Sequence, residues 1–517
     1  MCQVRRLLAL LFLFGTLLAL ATCAAPETPE PLATATITRT PRPPSTPKPT
    51  SSSPTAAAAP SGGPTTAATT PTTSPTPAPS STPAASPTPS VTPTMLGGCA
   101  EIWQSGFYKM YADFKTALKR FDCMIVQAND VIIDCDGHTI EGLNKQGHGF
   151  WIRKYGFPIL QTPQNIEIRN CKVTNALDGV FAEAGTNIYI HDNNFSNNYD
   201  DTDKRRYGIF LGLIEGGGIR LDNVQGARIE NNTTSNEAIG IDVRNSDSVF
   251  IRNNTAVNNS AWGVNLLNTQ HSEVSGNTLR DTVRYCTWGN GTVGPGCDAA
   301  AVILQDGASH NVVKNNSITG QNANGVFIKA HGTRCGDDNL IQNNKIIDAM
   351  YNAVEFSFCA GNKIIGNEIT GSFDAVWFGF SVNTEVRSNI IRNMTNHGIS
   401  SFNSRGSIIT DNQVINAREG VLFFWATYDE KQLYFLTPSP DKYASRDNTI
   451  TNNTLRDNSV AGIHLLNSIQ NRVTNNTFAN NGKNIWVEGK NDGNVIAGLE
   501  ACAGDCPLIA RLFPMVP

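Results

Sequence analysis

Two carboxylates and a set of cations stand out as groups that could do chemistry together. Asp222 and Asp242 lie twenty residues apart in a chain that repeats about every 22 residues, so they occupy successive turns of the repeating unit. On strands stacked about 4.8 Å apart, side chains on successive coils and on different columns lie roughly 8 Å apart. Inverting glycosidases hold their two carboxyls about 6.5 to 9.5 Å apart, so this spacing permits an acid and a base on either side of a glycosidic bond. A β-elimination needs instead a base and a cation beside a uronate carboxylate, for which Arg220, Arg244, Lys329 and His331 are available. The same residues also make a checkerboard of neutralising pairs: Arg220 over Asp242, Asp222 over Arg244, and Lys329 beside Glu355. Such pairs are worth little each but quiet an exposed sheet.

Placing these groups requires the repeat. The pattern [Val/Ile]-x-[Asn/Gly/Ser/Asp]-Asn-x-[apolar] recurs with its second polar residue at Asn193, Asn232, Asn254, Asn277, Asn316, Asn344, Asn367, Asn389, Asn412, Asn453 and Asn476, with Cys171 one period earlier. Eight or nine residues after most of these asparagines comes Gly or Ala followed by Val or Ile, as in Gly240-Ile241 and Ala375-Val376. Short alternating apolar segments without helical spacing make each period a coil of short strands. Coils that pair only with their neighbours build a solenoid, an all-β fold of about 13 coils and roughly 60 Å. Asn at one place per coil predicts a left-handed bend residue whose side-chain amide bonds the next Asn above, an Asn ladder.

Alternate positions of the strand that follows the Gly/Ala marker give two outward columns. The first contains Trp151, Phe181, Arg220, Asp242, Asn265, Ile303, Phe327, Glu355, Trp377, Ser400, Leu422, His464 and Trp486; the second contains Asp222, Arg244, Gln305 and Lys329. Polar groups gather between Arg220 and Glu355 with aromatics on either side. Aromatic rings accept the flat C–H faces of sugars while amides and charges take the hydroxyls, so Asn265, Gln305, Phe327, Glu355 and Trp377 are the expected substrate-binding set. The expected catalytic set is Asp222, Asp242, Arg220, Arg244 and Lys329.

The opening run Asn129-Asp130-Val131-Ile132-Ile133-Asp134-Cys135-Asp136-Gly137-His138-Thr139-Ile140-Glu141-Gly142, then Ile168-Arg169-Asn170-Cys171, then the ladder, resembles right-handed parallel β-helix proteins of the pectin-lyase-like class. More narrowly, it is similar to the NosD-like repeat group, named for a periplasmic copper-binding maturation factor. The resemblance spans about 98 to 500. It implies that the Gly/Ala-marked strand forms the first sheet, the strand before the Asn bend the second, and the strand after it the third. The long periods then place every sizeable insertion beside the first sheet: about 198–217 and 281–298 before it, and 154–163, 331–337 and 425–446 after it. The resemblance further implies that this sheet binds a polysaccharide, which the protein either cleaves or epimerises. A non-catalytic adhesin or wall-structural protein is the alternative, because this architecture carries many chemistries.

Composition divides the chain. Of its 27 prolines, 19 lie between Pro26 and Pro93, whereas all 54 asparagines lie at or after Asn129. Residues 1–22 read as an export signal with Arg5 and Arg6 before an apolar stretch. Leu20-Ala21-Thr22-Cys23 resembles a lipobox, which implies acylation of Cys23 and a membrane reached only through that lipid, on the cell surface; a secreted form is the alternative. Residues 23–95 have the Pro/Thr/Ser/Ala composition of a disordered stalk. The β-helix with its N-terminal cap is expected over 96–500, and a C-terminal cap or tail over 501–517.

From residue 95 onward the chain has 35 Lys and Arg against 42 Asp and Glu, so a polyanionic ligand needs locally placed cations. That balance argues against nucleic acid as a partner. The partner expected is a polysaccharide, taken up by a monomer. An exported chain should oxidise its cysteines. The expected pairs are Cys99–Cys123, Cys135–Cys171, Cys286–Cys297, Cys335–Cys359 and Cys502–Cys506. No metal or cofactor is expected: Asp200, Asp201 and Asp203 could gather Ca2+, but the run continues into Lys204-Arg205-Arg206, and the scattered histidines give no copper set.

Overall fold

Each period has to make three strands and three bends from about 22 residues, which keeps every strand short. The computed structural model describes residues 92–116, 121–200, 216–287, 293–296, 298–329, 335–425 and 445–497. Contacts divide the chain into Met1–Ala85 and Ser86–Pro517, and the described residues belong to the second unit. The export segment, Cys23, most of the stalk, Asp201, Asp203, His331, Cys297, Cys502, Cys506 and the tail lie outside them, as does the side chain of Cys286.

Among the described residues, three long parallel sheets hold 15, 16 and 14 strands. Each strand pairs with its counterparts one coil before and one coil after; Trp262–Leu267, for example, lies between Ile239–Arg244 and Ala300–Gln305. The first sheet runs from Ala100–Ile102 to Ile485–Glu488, so two coils precede those visible in the repeat. They contribute Ala100–Ile102 and Met124–Val126, which lack the Asn signature but pair in parallel with each other and, through the second, with His148–Ile152. The opening strand, Thr94–Leu96, takes in two residues whose composition reads as stalk. The second long insertion carries an antiparallel pair, Tyr285–Thr287 with Val293–Pro295.

The interior is a set of apolar stacks. Ile219, Ile241, Val264, Val302, Val326 and Val354 follow one another along the first sheet, each nearly or fully buried. Burying such a side chain is worth about 1.5 to 3 kcal/mol. The Gly/Ala marker has a steric cause: a Cβ on Gly240 would lie 2.5 Å from the carbonyl oxygen of Gly263, and inside the coil. Both the marker and the residue after it therefore face inward, so the residue before the marker faces out.

The Asn bends correct one expectation. The left-handed residue is the one before the ladder asparagine, for example Asn231 (φ 57°), Asn253 (φ 54°) and Asp411 (φ 57°). Its side chain can stay short and exposed, whereas the ladder asparagine is buried. From Asn193 to Asn476 each ladder Nδ2 donates to the Oδ1 of the next, at 2.9 to 3.1 Å. Separating the jobs follows from geometry: a buried amide needs every partner satisfied, while an exposed bend residue needs only a tolerant backbone. Cys99–Cys123, Cys135–Cys171 and Cys335–Cys359 are disulfide-bonded as expected.

Candidate functional site

Strand pairing aligns both outward columns of the first sheet as the repeat predicts. Arg220 pairs with Asp242, Asp242 with Asn265, Asn265 with Ile303, Ile303 with Phe327, Phe327 with Glu355 and Glu355 with Trp377. Exposure is where expectation and structure part. Asn265 is 0% exposed, Asp242 and Gln305 3%, Arg244 4%, Lys329 7% and Phe327 9%. These residues therefore lie beneath a cover rather than along an open groove.

Part of the cover is the second insertion, which folds back across the sheet. Its Asp298 forms an ion pair with Lys329 and accepts a hydrogen bond from Trp262 Nε1 at its carbonyl, at 3.0 Å. The Pro295 carbonyl accepts one from Tyr351 at 2.6 Å. A satellite apolar cluster of Ala238, Ile239, Ala261, Trp262, Ala300, Ile303 and Phe327, with Tyr199 packed against it, seals the same stretch.

Under this roof the polar residues satisfy one another. Arg244 donates from Nε to Asp242 Oδ2 at 2.9 Å, with its Nη2 2.7 Å from the same oxygen. Asn265 donates to Asp242 Oδ1 at 2.8 Å, and Gln305 donates to Asn265 Oδ1 at 2.8 Å. The neutralising pair thus forms within one strand, Asp242 with Arg244. Asp222 instead accepts from the bend residues Asn223 and Asn245, at 3.1 and 2.9 Å.

On each side of this roof several outward residues are only half-buried. The N-terminal side carries Trp151, Arg153, Phe181 and Arg220, each half-buried. Beside it stands the turn 154–163, closed by reciprocal backbone bonds between Tyr155 and Gln161, with Phe157, Ile159 and Leu160 exposed. The C-terminal side carries half-buried Glu355, Trp377, Phe402 and Phe424. Burial, with Asp298 and Asp374 nearby, pushes the Glu355 carboxyl up to about 7, against the opposing effects of a hydrogen bond from Asn352 at 2.7 Å and the Lys329 cation. Burial likewise raises Asp298, opposed by Lys329.

A third outward column, the residues before the Gly/Ala marker, escaped the alternation rule because two inward residues follow it. It holds His148 and Asp178 at one end and Asp374, His397 and Glu419 at the other. His397 Nδ1 lies 3.2 Å from Asp374 Oδ1 and its Nε2 lies 3.1 Å from Glu419 Oε2. Against the cost of burial, these carboxylates push His397 up to about 9, and the imidazoles of His397 and His464 pull Glu419 down to about 2. His464 continues the chain, 3.4 Å from Glu419 and 3.6 Å from Glu488, stacked on Trp486 at 4.1 Å. The signal was present in the sequence: one position ahead of each marker, where His-Gly and Asp-Gly or Asp-Ala recur.

Three parallel sheets closed by ladders of bend asparagines define an all-β parallel β-helix. The chain belongs to the family described as the right handed beta helix region, whose model matches residues 122–279, 214–335, 300–427 and 333–499. Among solved structures it is similar to the A-module of a mannuronan C-5 epimerase from Azotobacter vinelandii, at 12% identity and a TM-score of 0.43 over 76% of this chain and 91% of that one. It is also similar to the Dettilon tailspike protein, at 14% and 0.40 over 56% and 61%. A third similar structure is an alginate lyase from Paenibacillus sp., at 12% and 0.34 over 64% and 92%. At these identities the likeness is one of fold. No curated protein matches the chain in sequence.

Proposed function

We propose that the protein binds a polysaccharide along the outer face of its first sheet, as an exported chain tethered to a membrane through an acylated Cys23. One observation carries the binding reading. Along the C-terminal stretch Phe358, Phe402 and Phe424 are half-buried and Phe380 is buried among them, with neighbouring rings in contact at centroid distances of 4.8, 5.1 and 4.5 Å. A coil rises about 4.8 Å, close to the length of one sugar residue, so a chain lying along the axis meets one coil per ring. Trp377, half-buried beside Glu355, extends the platform inward. Aromatic faces pair with sugar C–H faces, and Glu355 with Asn352 offers the hydrogen-bonding edge. Export is supported by three formed disulfides, which persist in oxidising compartments.

In this reading Asp242, Arg244, Asn265, Gln305 and Lys329 hold the roofed middle in place, and Asp222 holds the adjoining bend. Cleavage or epimerisation of the bound chain is a second reading, favoured by Glu355: a carboxyl held near 7 beside a half-buried tryptophan is a proton donor at neutral pH. Incubating the full chain with neutral and acidic polysaccharides tests both. Binding should fall about tenfold in Phe402→Ala/Phe424→Ala, and unchanged binding would remove the aromatic ridge from the site. Reducing ends or unsaturated-uronate absorbance should appear with wild type and vanish in Glu355→Gln. Binding without either product, and with an unchanged ratio of uronate epimers by NMR, leaves an adhesin.

A further inference from the structure

A large apolar side chain exposed singly is ordinary, whereas several gathered at one tip mark a surface that meets a partner. The turn after Ile152 gathers them. Phe157 is 97% exposed, Ile159 79% and Leu160 64%, with Pro158 exposed between them. No other stretch among the described residues brings three large exposed apolar residues within four positions. The turn is also closed at its neck, where the Tyr155 and Gln161 N–H groups donate to each other's carbonyls at 3.1 and 2.6 Å. Gly156 (φ 95°) bends the chain where a Cβ would lie 2.9 Å from the Ile159 carbonyl oxygen. The neck thus holds four apolar residues away from the solenoid, a cost in water that packing inside the coil does not offset.

The base of the turn differs from its tip. Arg153, its guanidinium 4.5 Å over the Trp151 ring, and Lys154 lead into it, and half-buried Tyr155 follows. The acid beside them, Glu183, accepts a hydrogen bond from the Lys154 backbone N–H at 2.7 Å. Ile102 pairs with Val126 and Val126 with Ile152, so Trp103, 58% exposed, leaves the first sheet at the same edge two coils earlier. An apolar tip with an aromatic and cationic rim follows the order of groups met between acyl chains and headgroups. A protein partner fits less well. A stable interface takes roughly 800 Å2 from each side, more than three side chains on a narrow turn supply, whereas acyl chains need no complementary surface. Position along the chain agrees: the turn leaves the third coil, and residues 1–91, with the apolar stretch from Leu7 to Leu20, join the solenoid at this end.

We propose that the tip 157–160 inserts into the headgroup–acyl boundary of a lipid bilayer, with Arg153, Lys154 and Trp103 at the bilayer surface. The N-terminal end of the β-helix then meets the membrane directly, whether or not Cys23 carries a lipid. A tether alone sets how far the solenoid can travel; a docked tip also sets which end faces the bilayer. Three apolar side chains and two cations make a weak, reversible contact by themselves, and a second attachment on the same chain strengthens it by holding the tip at high local concentration. The contact is independent of what the first sheet binds.

The test mixes the full chain with vesicles of phosphatidylcholine and phosphatidylglycerol in equal parts and reads side-chain exposure by hydroxyl-radical footprinting. Phe157, Ile159 and Leu160 should each lose reactivity at least about fivefold on the vesicles, and Trp103 less, while exposed Tyr285 in the second insertion stays unchanged. A second measurement places Phe157→Ser/Ile159→Ser/Leu160→Ser in a Cys23→Ser chain, which should bind the same vesicles at least about tenfold more weakly than Cys23→Ser alone. The stretch from Leu7 to Leu20 is common to both chains, so the difference reports the tip. The footprint uses no variant at the tip, so it decides the matter should the triple substitution misfold. Unchanged reactivity of the tip on vesicles, or equal binding by the two folded chains, overturns the proposal. Protection that appears without vesicles also overturns it: growing with protein concentration, it assigns the tip to a second copy, and conferred by a polysaccharide, to the carbohydrate surface.

Discussion

In the N-terminal stretch of the first sheet one imidazole, His148, meets one buried carboxylate, Asp178. In the C-terminal stretch two imidazoles, His397 and His464, meet three carboxylates, Asp374, Glu419 and Glu488. Both arrangements grow from the same column, the residue before the Gly/Ala marker. Their difference lies in how many nitrogens remain. His397 has both within 3.2 Å of a carboxylate and acts as a tie between coils. His148 meets the single carboxylate of Asp178, and its Nε2 has no partner among the described residues. A repeat can therefore give the same side chain one acidic partner or two, and the neighbours one coil away decide which.

The largest effect should fall on the tie. His397→Gln removes the cation between two buried carboxylates and should cost about 3 kcal/mol of stability, whereas His148→Gln, whose amide can still face Asp178, should cost about 1 kcal/mol. Equal losses in thermal unfolding would erase the distinction. Because His397 is raised from 6.5 to about 9, its contribution is complete below pH 6.5 and fades as pH rises through about 9. Glu419 is lowered from 4.5 to about 2, so its contribution is complete above pH 4.5 and fades as pH falls through about 2. The tie should be strongest between pH 4.5 and 6.5, a plateau that His397→Gln flattens.

Next in size is the ladder, which should ignore the contrast between stretches. Asn232→Ala and Asn389→Ala each leave a buried ladder partner unsatisfied and should each cost about 2 kcal/mol. A large difference between them would show that the outer face feeds back on the bends. Smaller again, Trp377→Ala should weaken polysaccharide binding by about 1 kcal/mol, several-fold, without altering any preference for acidic chains. Unchanged binding would remove Trp377 from the site. Smallest, affinity for an acidic chain should slip as pH rises through about 7, where Glu355 ionises and turns from donor to repelling anion. A profile that persists in Glu355→Gln assigns the change to another group.

Much of the fold was legible because a coil's chemistry is local. The Asn bends, the marker and the alternation of Ile219-Arg220-Leu221-Asp222 fixed both columns, and strand pairing agrees with them at Asp242, Glu355 and Trp377. Three cysteine pairs were readable for the same reason, since their members fall one coil apart. The third column was not readable by alternation, because the inward marker breaks the period of two. Nor was the roof: that Asp298 reaches Lys329 depends on how an insertion folds back, and no repeat specifies an insertion.

The sequence by itself determined an all-β solenoid, its register, and which residues face out of the first sheet, since each follows from contacts within one coil or between adjacent coils. Tertiary structure alone decided which outward residues meet solvent. Asp242, Asn265 and Gln305 share a face with Trp151 and Trp377, yet they are buried, because exposure depends on what comes to lie over a side chain from far along the chain. It decided as well that Asp242 joins Arg244 two residues on, through a bond whose donor and acceptor could both have turned elsewhere on an open sheet.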